Sequence, residues 1–268
     1  MEAEMNKVNA PFQRMVVLGD SNAYGMCAYN PKNEWPQVAA NWLRKFQQEE
    51  LEVLNRSIPG NVISPRCPGY ELSCKPSLLE RFRKHCIDLS PDLVIIAQSL
   101  NDARTGMSIQ EYTEDLELIV TAILSETNAL VVLMGVYHQI QGRGFNDPED
   151  FPWAAKWDQN TLEVFNFSIS RVAKRNEVLF VDILNIMSGT DWLLHPDCVH
   201  MNDLGHILIG NALFQTIVTH CDGVADRLFH RIADKGVSVE NSGGTDTSED
   251  IREIWNMHSQ QNPELLSR

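Results

Sequence analysis

The chain is expected to fold as an α/β protein whose parallel sheet carries helices on both faces, and three observations predict this. Strand-like and helix-like segments alternate five times between residues 14 and 220, the pattern that right-handed crossovers turn into a parallel sheet. The clearest strand segments, 15–18 and Leu93–Ala97, are unbroken apolar runs, as strands covered on both faces require. Polar and small residues gather just after these runs, at the carboxyl ends where open parallel sheets place their ligands.

Taken in order, Met15 to Leu18 form the first strand, and Gly19 permits a sharp bend into Asp20 and Ser21. Both favour a turn or helix start, where free backbone N–H groups stabilise negative charge. On these residues alone an ordinary strand-to-helix loop explains the turn. Residues 34–49 carry Trp35, Val38, Ala39, Trp42, Leu43 and Phe46 at helical spacing, with Pro36 in the first turn, which predicts an amphipathic helix. A short second strand at 51–54 runs into Asn55-Arg-Ser-Ile-Pro-Gly60-Asn. Three prolines, two cysteines and Gly69 make 64–76 an irregular loop, and 77–87 reads as a short amphipathic helix. The third strand, Leu93–Ala97, empties into Gln98-Ser-Leu-Asn101-Asp102-Ala-Arg104. A helix over Ile109–Glu126 and a fourth strand over 129–136 follow.

The loop at 137–157 contains Arg143 and the aromatics Tyr137, Phe145, Phe151, Trp153 and Trp157. Loops of this length are commonly functional; the aromatics fit a substrate wall or lid, and equally packing against the body. A helix over 158–175 and a fifth strand over 177–183 precede the segment from Trp192 to Gly205, which leads into a last core helix, Asp203–His220. From 234 to 249 the composition shifts to Gly, Ser, Thr, Asp and Glu, a flexible linker or tail, and Ile251, Ile254, Trp255 and His258 fall at helical spacing beyond it. The expected organisation is an N-terminal extension at 1–13, one domain over 14–233 and a C-terminal tail at 234–268.

A length of 268 residues with 43% hydrophobic content is ample for a packed core. A formal net charge of -14 disfavours nucleic acid and anionic lipid as partners. The N-terminus has no basic region followed by an apolar run, and no 18-residue apolar run suggests a membrane span, so a cytoplasmic protein is expected. In that reducing setting the six cysteines are expected to be free thiols, with Cys67 to Cys74 the one loop bridge worth considering. Zinc and other cofactors are not expected, since neither a CxxC nor an HxxxH pair occurs.

Three strand ends bring Ser21, Gly60 and Asn101 to one sheet edge, and a late loop brings Asp197 and His200 to the same edge. These are the groups acyl transfer needs. A serine hydroxyl is a poor nucleophile until a base takes its proton, and His200 can do so near neutral pH. Asp197 can orient the imidazole and stabilise its cation. The N–H groups of Ser21 and Gly60 and the amide of Asn101 are the candidate donors to an oxyanion. Asn101 could instead cap the following helix, and Asp102 is expected to tie its loop to neighbouring backbone. His195 lacks a carboxylate three residues earlier and is ranked a surface or supporting residue; Cys198 is given a packing role.

With these residues in view, the chain resembles the SGNH hydrolases of the GDSL esterase/lipase family. Gly19-Asp20-Ser21 with Gly25 matches the first block, Asn55 with Gly60 the second, Asn101-Asp102 the third, and Asp197-Cys-Val-His200 with Asn202 and Gly205 the last. The resemblance covers about residues 14 to 220. It implies a flavodoxin-like three-layer α/β/α fold with a five-stranded parallel sheet, Ser21 as nucleophile, His200 as base, Asp197 as its orienter, and Ser21, Gly60 and Asn101 as the oxyanion hole. It also implies hydrolysis of esters or thioesters without a metal. Ser57 and Ser99 stand where the family commonly has glycine, and Met201 where many relatives have proline.

The expected activity is therefore hydrolysis of a small or medium acyl ester, for example an acetylated carbohydrate or a short-chain lipid ester, through an acyl-enzyme on Ser21. Two alternatives stay open on sequence grounds. One is an acyltransferase using the same acyl-enzyme, with the 137–157 loop excluding water; the other is a binding module with an inherited cleft.

Overall fold

In the computed structural model, residues 11–152 and 156–220 are described, and they build the predicted alternation of strand and helix. The elements are β1 (Arg14–Gly19), α1 (Ser21–Tyr24), α2 (Trp35–Gln47), β2 (Glu52–Asn55), α3 (Tyr70–Ser73), α4 (Leu78–His85), β3 (Leu93–Ala97), α5 (Leu100–Arg104), α6 (Ile109–Glu126), β4 (Leu130–Met134), α7 (Gln159–Arg175), β5 (Leu179–Val181), α8 (Ile183–Ile186) and α9 (Asp203–His220). The five strands are all parallel in the order β2-β1-β3-β4-β5. The chain winds outward from β1 to β2, then returns past β1 to β3 and continues the other way. The crevice between the carboxyl ends of β1 and β3 is therefore the topological switch point, where such sheets bind ligands. Pairing of Gly19 with Ala97 sets those two ends level.

The side-chain period of two explains the layers. Val16, Leu18, Val94, Ile96, Val131 and Leu133 face one core, shared with α4, α6 and α7. Met15, Val17, Leu93, Ile95, Val132 and Met134 face the other, shared with α2 and α9. Each such side chain, removed from water, stabilises the fold by ~1.5–3 kcal/mol, which is why the strand runs carry no polar alternation. Trp42 and Phe46 of α2 meet Phe214 of α9 with ring centroids 6.0 and 5.9 Å apart.

Helix ends follow local chemistry. Ser77 and Glu80 form a reciprocal capping box on α4, and Asp158 caps α7 through Thr161. The fifth strand is shorter than the expected 177–183. Asp182 turns the chain out of the sheet by accepting from the Asn185 amide and the Asn166 side chain, and Ile183 begins α8. The loop at 64–76 contains the single turn α3. No Cys67–Cys74 bridge forms: the Cys67 thiol lies 3.2 Å from the Thr105 hydroxyl, and Cys74 donates to the Glu71 carbonyl. Within the 137–157 loop, Tyr137 and Trp157 are buried in the two cores, whereas Phe145 is exposed. Phe12 is already packed, tied to the Gln47 side chain through both its amide and its carbonyl. The readings placed on residues 1–10, Trp153, Cys221 and the 234–268 tail lie outside the described residues.

Gly19 is required by close approach. A Cβ there would lie 2.5 Å from the Ala97 carbonyl oxygen and 2.6 Å from the Ala23 Cβ, separations no side chain tolerates. Gly19→Ala is expected to lower stability by ~1–3 kcal/mol through forced separation of β1 from β3. An unchanged urea midpoint would contradict this.

Candidate active site

Ser21 opens α1 directly after β1. Asp20 caps that helix, its Oδ1 accepting from the Asn22 amide at 3.0 Å, and Gly25 ends it in the left-handed region at φ 101°. A sharp reversal brings the partners to it. Leu194 pairs with Met201 in an antiparallel bridge, and the His195 amide donates to the His200 carbonyl at 2.7 Å. This folds 194–201 into a narrow loop with Asp197 near its tip and His200 on its returning arm.

The three side chains lie in one hydrogen-bonded line. His200 Nε2 is 2.8 Å from Ser21 Oγ, and His200 Nδ1 is 2.8 Å from Asp197 Oδ2. The other carboxylate oxygen, Oδ1, accepts from the Val199 and His200 amides at 2.9 Å each, so the carboxylate cannot rotate away. Ser21 and His200 are 6% and 5% exposed, so the hydrogen bonds of this line are sheltered from water.

Burial and hydrogen bonding set the charges. Partial burial alone would raise the Asp197 carboxyl, but the His200 side chain and the His200 and Val199 amides outweigh it and hold the group below the ordinary carboxylate range. Two neighbouring acids behave in the opposite way. Burial pushes Asp20 up to about 7 against the Asn22 amide, and Asp102 up to about 6 against the Ile63 amide and the Gln98 side chain. Asp197 is thus the acid held ionised beside His200. Asp102 ties the loops together as expected, accepting from the Ile63 amide at 2.8 Å and from Gln98 Nε2 at 3.1 Å.

Asn101 is 8% exposed at the start of α5. Its Nδ2 donates to the Asn61 carbonyl at 3.0 Å, and Gln98 Nε2 donates to the same oxygen at 2.9 Å. These bonds join the loop after β3 to the Gly60–Asn61 turn after β2. Gly60 sits there at φ 71°, a left-handed conformation that favours glycine. Ser57 and Ser99, the two departures from the family blocks, are both buried beside these turns.

His195 is more than a surface residue: its Nδ1 lies 3.0 Å from Asp197 Oδ2 and 3.3 Å from the Asp197 amide. Cys27 also reaches this carboxylate, its Sγ 3.4 Å from Oδ2. Burial, and then Asp197, push the Cys27 thiol up to about 12, and the same two causes raise Cys198, so neither is a reactive thiolate.

Sequence reasoning missed the residues that hold the 194–201 loop in place. Asn22 offers both ends of its amide, accepting from the Met201 amide at 3.2 Å and donating to the Val199 carbonyl at 3.3 Å. Gln139 donates to that same carbonyl at 2.9 Å. Asn146 Nδ2 lies 3.1 Å from the Cys198 carbonyl and 3.0 Å from both Gln139 Oε1 and the Ile140 carbonyl, while its Oδ1 accepts from Arg104 Nε at 3.0 Å. Phe145 donates its amide to the Asp197 carbonyl at 2.9 Å and sets its ring edge-on to His200, centroids 6.3 Å apart. The long loop therefore braces the His200 arm from outside. Asn22 and Arg104 stand beside the motif blocks and Gln139 and Asn146 in the long loop, but nothing in their spacing names their partners. Asn146→Ala is expected to destabilise the protein by ~1–3 kcal/mol, because the Arg104 guanidinium and the Cys198 carbonyl lose a buried partner. A thermal melt and turnover should fall together; loss of neither would remove the bracing role.

A family model described as the GDSL-like Lipase/Acylhydrolase family matches residues 17–208. No curated protein sequence matches the chain. Among solved structures, TesA is 20% identical with a TM-score of 0.59, covering 78% of this chain and 99% of its own. A lipase/acylhydrolase from Enterococcus faecalis is 22% identical with a TM-score of 0.58, covering 76% of this chain and 95% of its own. An acetylxylan esterase from Geobacillus stearothermophilus is 19% identical with a TM-score of 0.57, covering 79% and 96%. At these identities the likeness to the solved structures is one of fold, the three-layer α/β/α arrangement with its five-stranded parallel sheet. Among the described residues no helix is long and apolar enough to cross a membrane.

Proposed function

Because the chain belongs to the GDSL-like lipase/acylhydrolase family, we propose that it is a serine esterase that cleaves a small or medium acyl ester through an acyl-enzyme on Ser21. The observation that carries this reading is the line Ser21 Oγ–His200 Nε2–His200 Nδ1–Asp197 Oδ2, with 2.8 Å at each hydrogen bond. His200 takes the Ser21 proton as Oγ attacks the ester carbonyl. The Asp197 carboxylate accepts from Nδ1–H, which keeps the lone pair on Nε2 facing Ser21 and stabilises the imidazolium that forms. The tetrahedral intermediate then collapses: the alkoxide leaves with the proton from Nε2, and the acyl group stays on Oγ. Water, deprotonated by the same nitrogen, attacks the acyl carbonyl and returns the Ser21 hydroxyl and a carboxylic acid.

The developing oxyanion is met by the amides of Ser21 and Gly60 and by the Asn101 side chain. Asn101 is the one of the three donors that lies on a side chain, so a substitution can remove it, while Gln98 keeps its own bond to the Asn61 carbonyl. Asn101→Ala is expected to lower kcat by ~10²–10³-fold with a smaller effect on KM, since an oxyanion donor acts mainly in the transition state. A loss confined to KM would move Asn101 from the reaction to ground-state binding.

Acetylated carbohydrates and short-chain lipid esters are the substrate classes favoured, the first supported by the acetylxylan esterase among the similar folds. A panel of p-nitrophenyl acetate, p-nitrophenyl butyrate, acetylated sugars, thioesters and lysophospholipids tests this. Turnover of short esters with none of lysophospholipids is the expected result. Esterase activity unaltered by Ser21→Ala would refute the mechanism.

A further inference from the structure

Asp197 Oδ2 meets two further side chains besides His200, Cys27 at 3.4 Å and His195 at 3.0 Å. Cys27 Sγ, His195 Nδ1 and this oxygen all lie within 4.8 Å of one another. Cys27 comes from the turn after α1 and the other two from the 194–201 loop, so no short sequence spacing announces the group. His195 Nδ1 is poorly used where it is. It lies 3.3 Å from the Asp197 amide, which makes it an acceptor, and 3.0 Å from Oδ2, which is also an acceptor. One ring nitrogen cannot satisfy both, because a neutral nitrogen that accepts from the amide turns a lone pair toward the carboxylate lone pair. A cation between them resolves that conflict.

We propose that Cys27, His195 and Asp197 form a binding site for a divalent transition metal ion of the Zn²⁺ class, and that occupancy inhibits the esterase. The S, N and O donor set is the one zinc selects, with a fourth position left for water. The geometry is close to what the ion needs. Bond lengths near 2.3 Å to sulfur and about 2.1 Å to nitrogen and oxygen place tetrahedral S···O and N···O pairs about 3.6 and about 3.4 Å apart. The separations here are 3.4 Å for Cys27 Sγ to Oδ2 and 3.0 Å for His195 Nδ1 to Oδ2. Widening these two pairs by about 0.2 and about 0.4 Å, with Sγ and Nδ1 within 4.8 Å of each other, brings the three donors toward bonding separation. On binding, the Cys27 proton leaves to solvent, and S–metal, N–metal and O–metal bonds replace the two close contacts to Oδ2.

The inhibitory part rests on the esterase reading. Oδ2 is also the oxygen that receives His200 Nδ1–H at 2.8 Å. A cation on it competes for its electron density and sets positive charge beside the imidazolium that must form when Ser21 attacks. The fold thereby couples a metal contact at this oxygen to the proton transfer that the same oxygen supports.

The test uses the full-length protein, freed of metal by a chelator. Addition of Co²⁺ should produce a thiolate-to-cobalt charge-transfer band that Zn²⁺ abolishes by displacement. Cys27→Ser changes one atom and should remove the band; His195→Ala should weaken Zn²⁺ binding, measured by calorimetry, by at least the ~10–100-fold that loss of a supporting partner costs a metal site. In parallel, Zn²⁺ should slow fluorophosphonate labelling of Ser21 in the wild type by tenfold or more. In each variant the slowing, taken against that variant's own chelator-treated rate, should be largely lost. No cobalt band, or one retained in Cys27→Ser, overturns the site. Zinc slowing all three proteins alike overturns the coupling. A chelator-treated wild type that the probe does not label would count against the esterase reading alone, since the cobalt titration still decides the site.

Discussion

Ser21→Ala should lower kcat/KM on p-nitrophenyl acetate by ~10⁴–10⁶-fold, the range found when a nucleophile that works through a histidine base is removed. The size of the effect follows from how the hydroxyl is held. Ser21 Oγ has His200 Nε2 at 2.8 Å, and it sits on the first residue of a helix of only four residues whose start is fixed by Asp20 and Gly19. Alanine fits that turn, since it is a good helix former and needs no space beyond the serine Cβ. Stability should therefore change by less than about 1 kcal/mol while turnover vanishes. That separation is the diagnostic feature. A fall in both would mean that the serine mainly supports the turn, and a fall in neither would end the proposal. The residual rate is informative too: the proposed oxyanion donors, the amides at 21 and 60 and the Asn101 side chain, remain in this variant, and such donors with binding alone leave measurable catalysis over water.

The fold was legible wherever a local period reports burial. Leu93–Ala97 and Ile109–Glu126 have the bounds that their apolar patterns predict, and the last core helix starts at Asp203 as its pattern predicts. Legibility fails where a single polar side chain overrides the pattern. Residues 177–183 read as one strand, but Asp182 holds the Asn185 and Asn166 groups and cuts β5 to three residues. The 137–157 loop shows the same limit. Its aromatics fit a substrate wall and packing against the body equally, and both occur: Tyr137 and Trp157 fill the cores, and among the described residues Phe145 sets its ring against His200. Composition cannot distinguish these because each is set by contacts more than ten residues away.

The candidate site divides along the same line. Ser21, Asp197 and His200 follow from chemistry plus chain order, because each ends a strand or precedes a helix at the sheet edge where parallel sheets bind ligands. Asn22, Gln139 and Asn146 do not. Their amides act by meeting backbone carbonyls of the 194–201 loop, and a backbone carbonyl has no signature in sequence. His195 takes the supporting place that the sequence left open to it, but its partner is Asp197, a carboxylate two residues after it rather than three before it, and no spacing rule singles that pairing out.

Asp197→Asn should lower kcat by ~10⁴-fold with KM nearly unchanged, and the geometry shows how. The Val199 and His200 amides both donate to Oδ1 at 2.9 Å, so the oxygen of the introduced amide is drawn to that position to keep them satisfied. Its NH₂ then faces His200 Nδ1 at the place of Oδ2, and a donor now meets a nitrogen that has to donate. The imidazole responds by shifting its proton to Nε2, which presents N–H rather than a lone pair to Ser21 Oγ. The base is lost although no atom has moved far. Because the loop keeps its backbone bonds, the melting temperature should fall by only a few degrees, as a change of about 1 kcal/mol produces. Fluorophosphonate labelling should slow in step with turnover, since both need a deprotonated Ser21. Activity near that of the wild type would show that His200 is oriented by something other than Asp197, and His195 at 3.0 Å from the same oxygen offers no replacement, because an imidazole cannot supply the negative charge that the carboxylate sets beside the imidazolium.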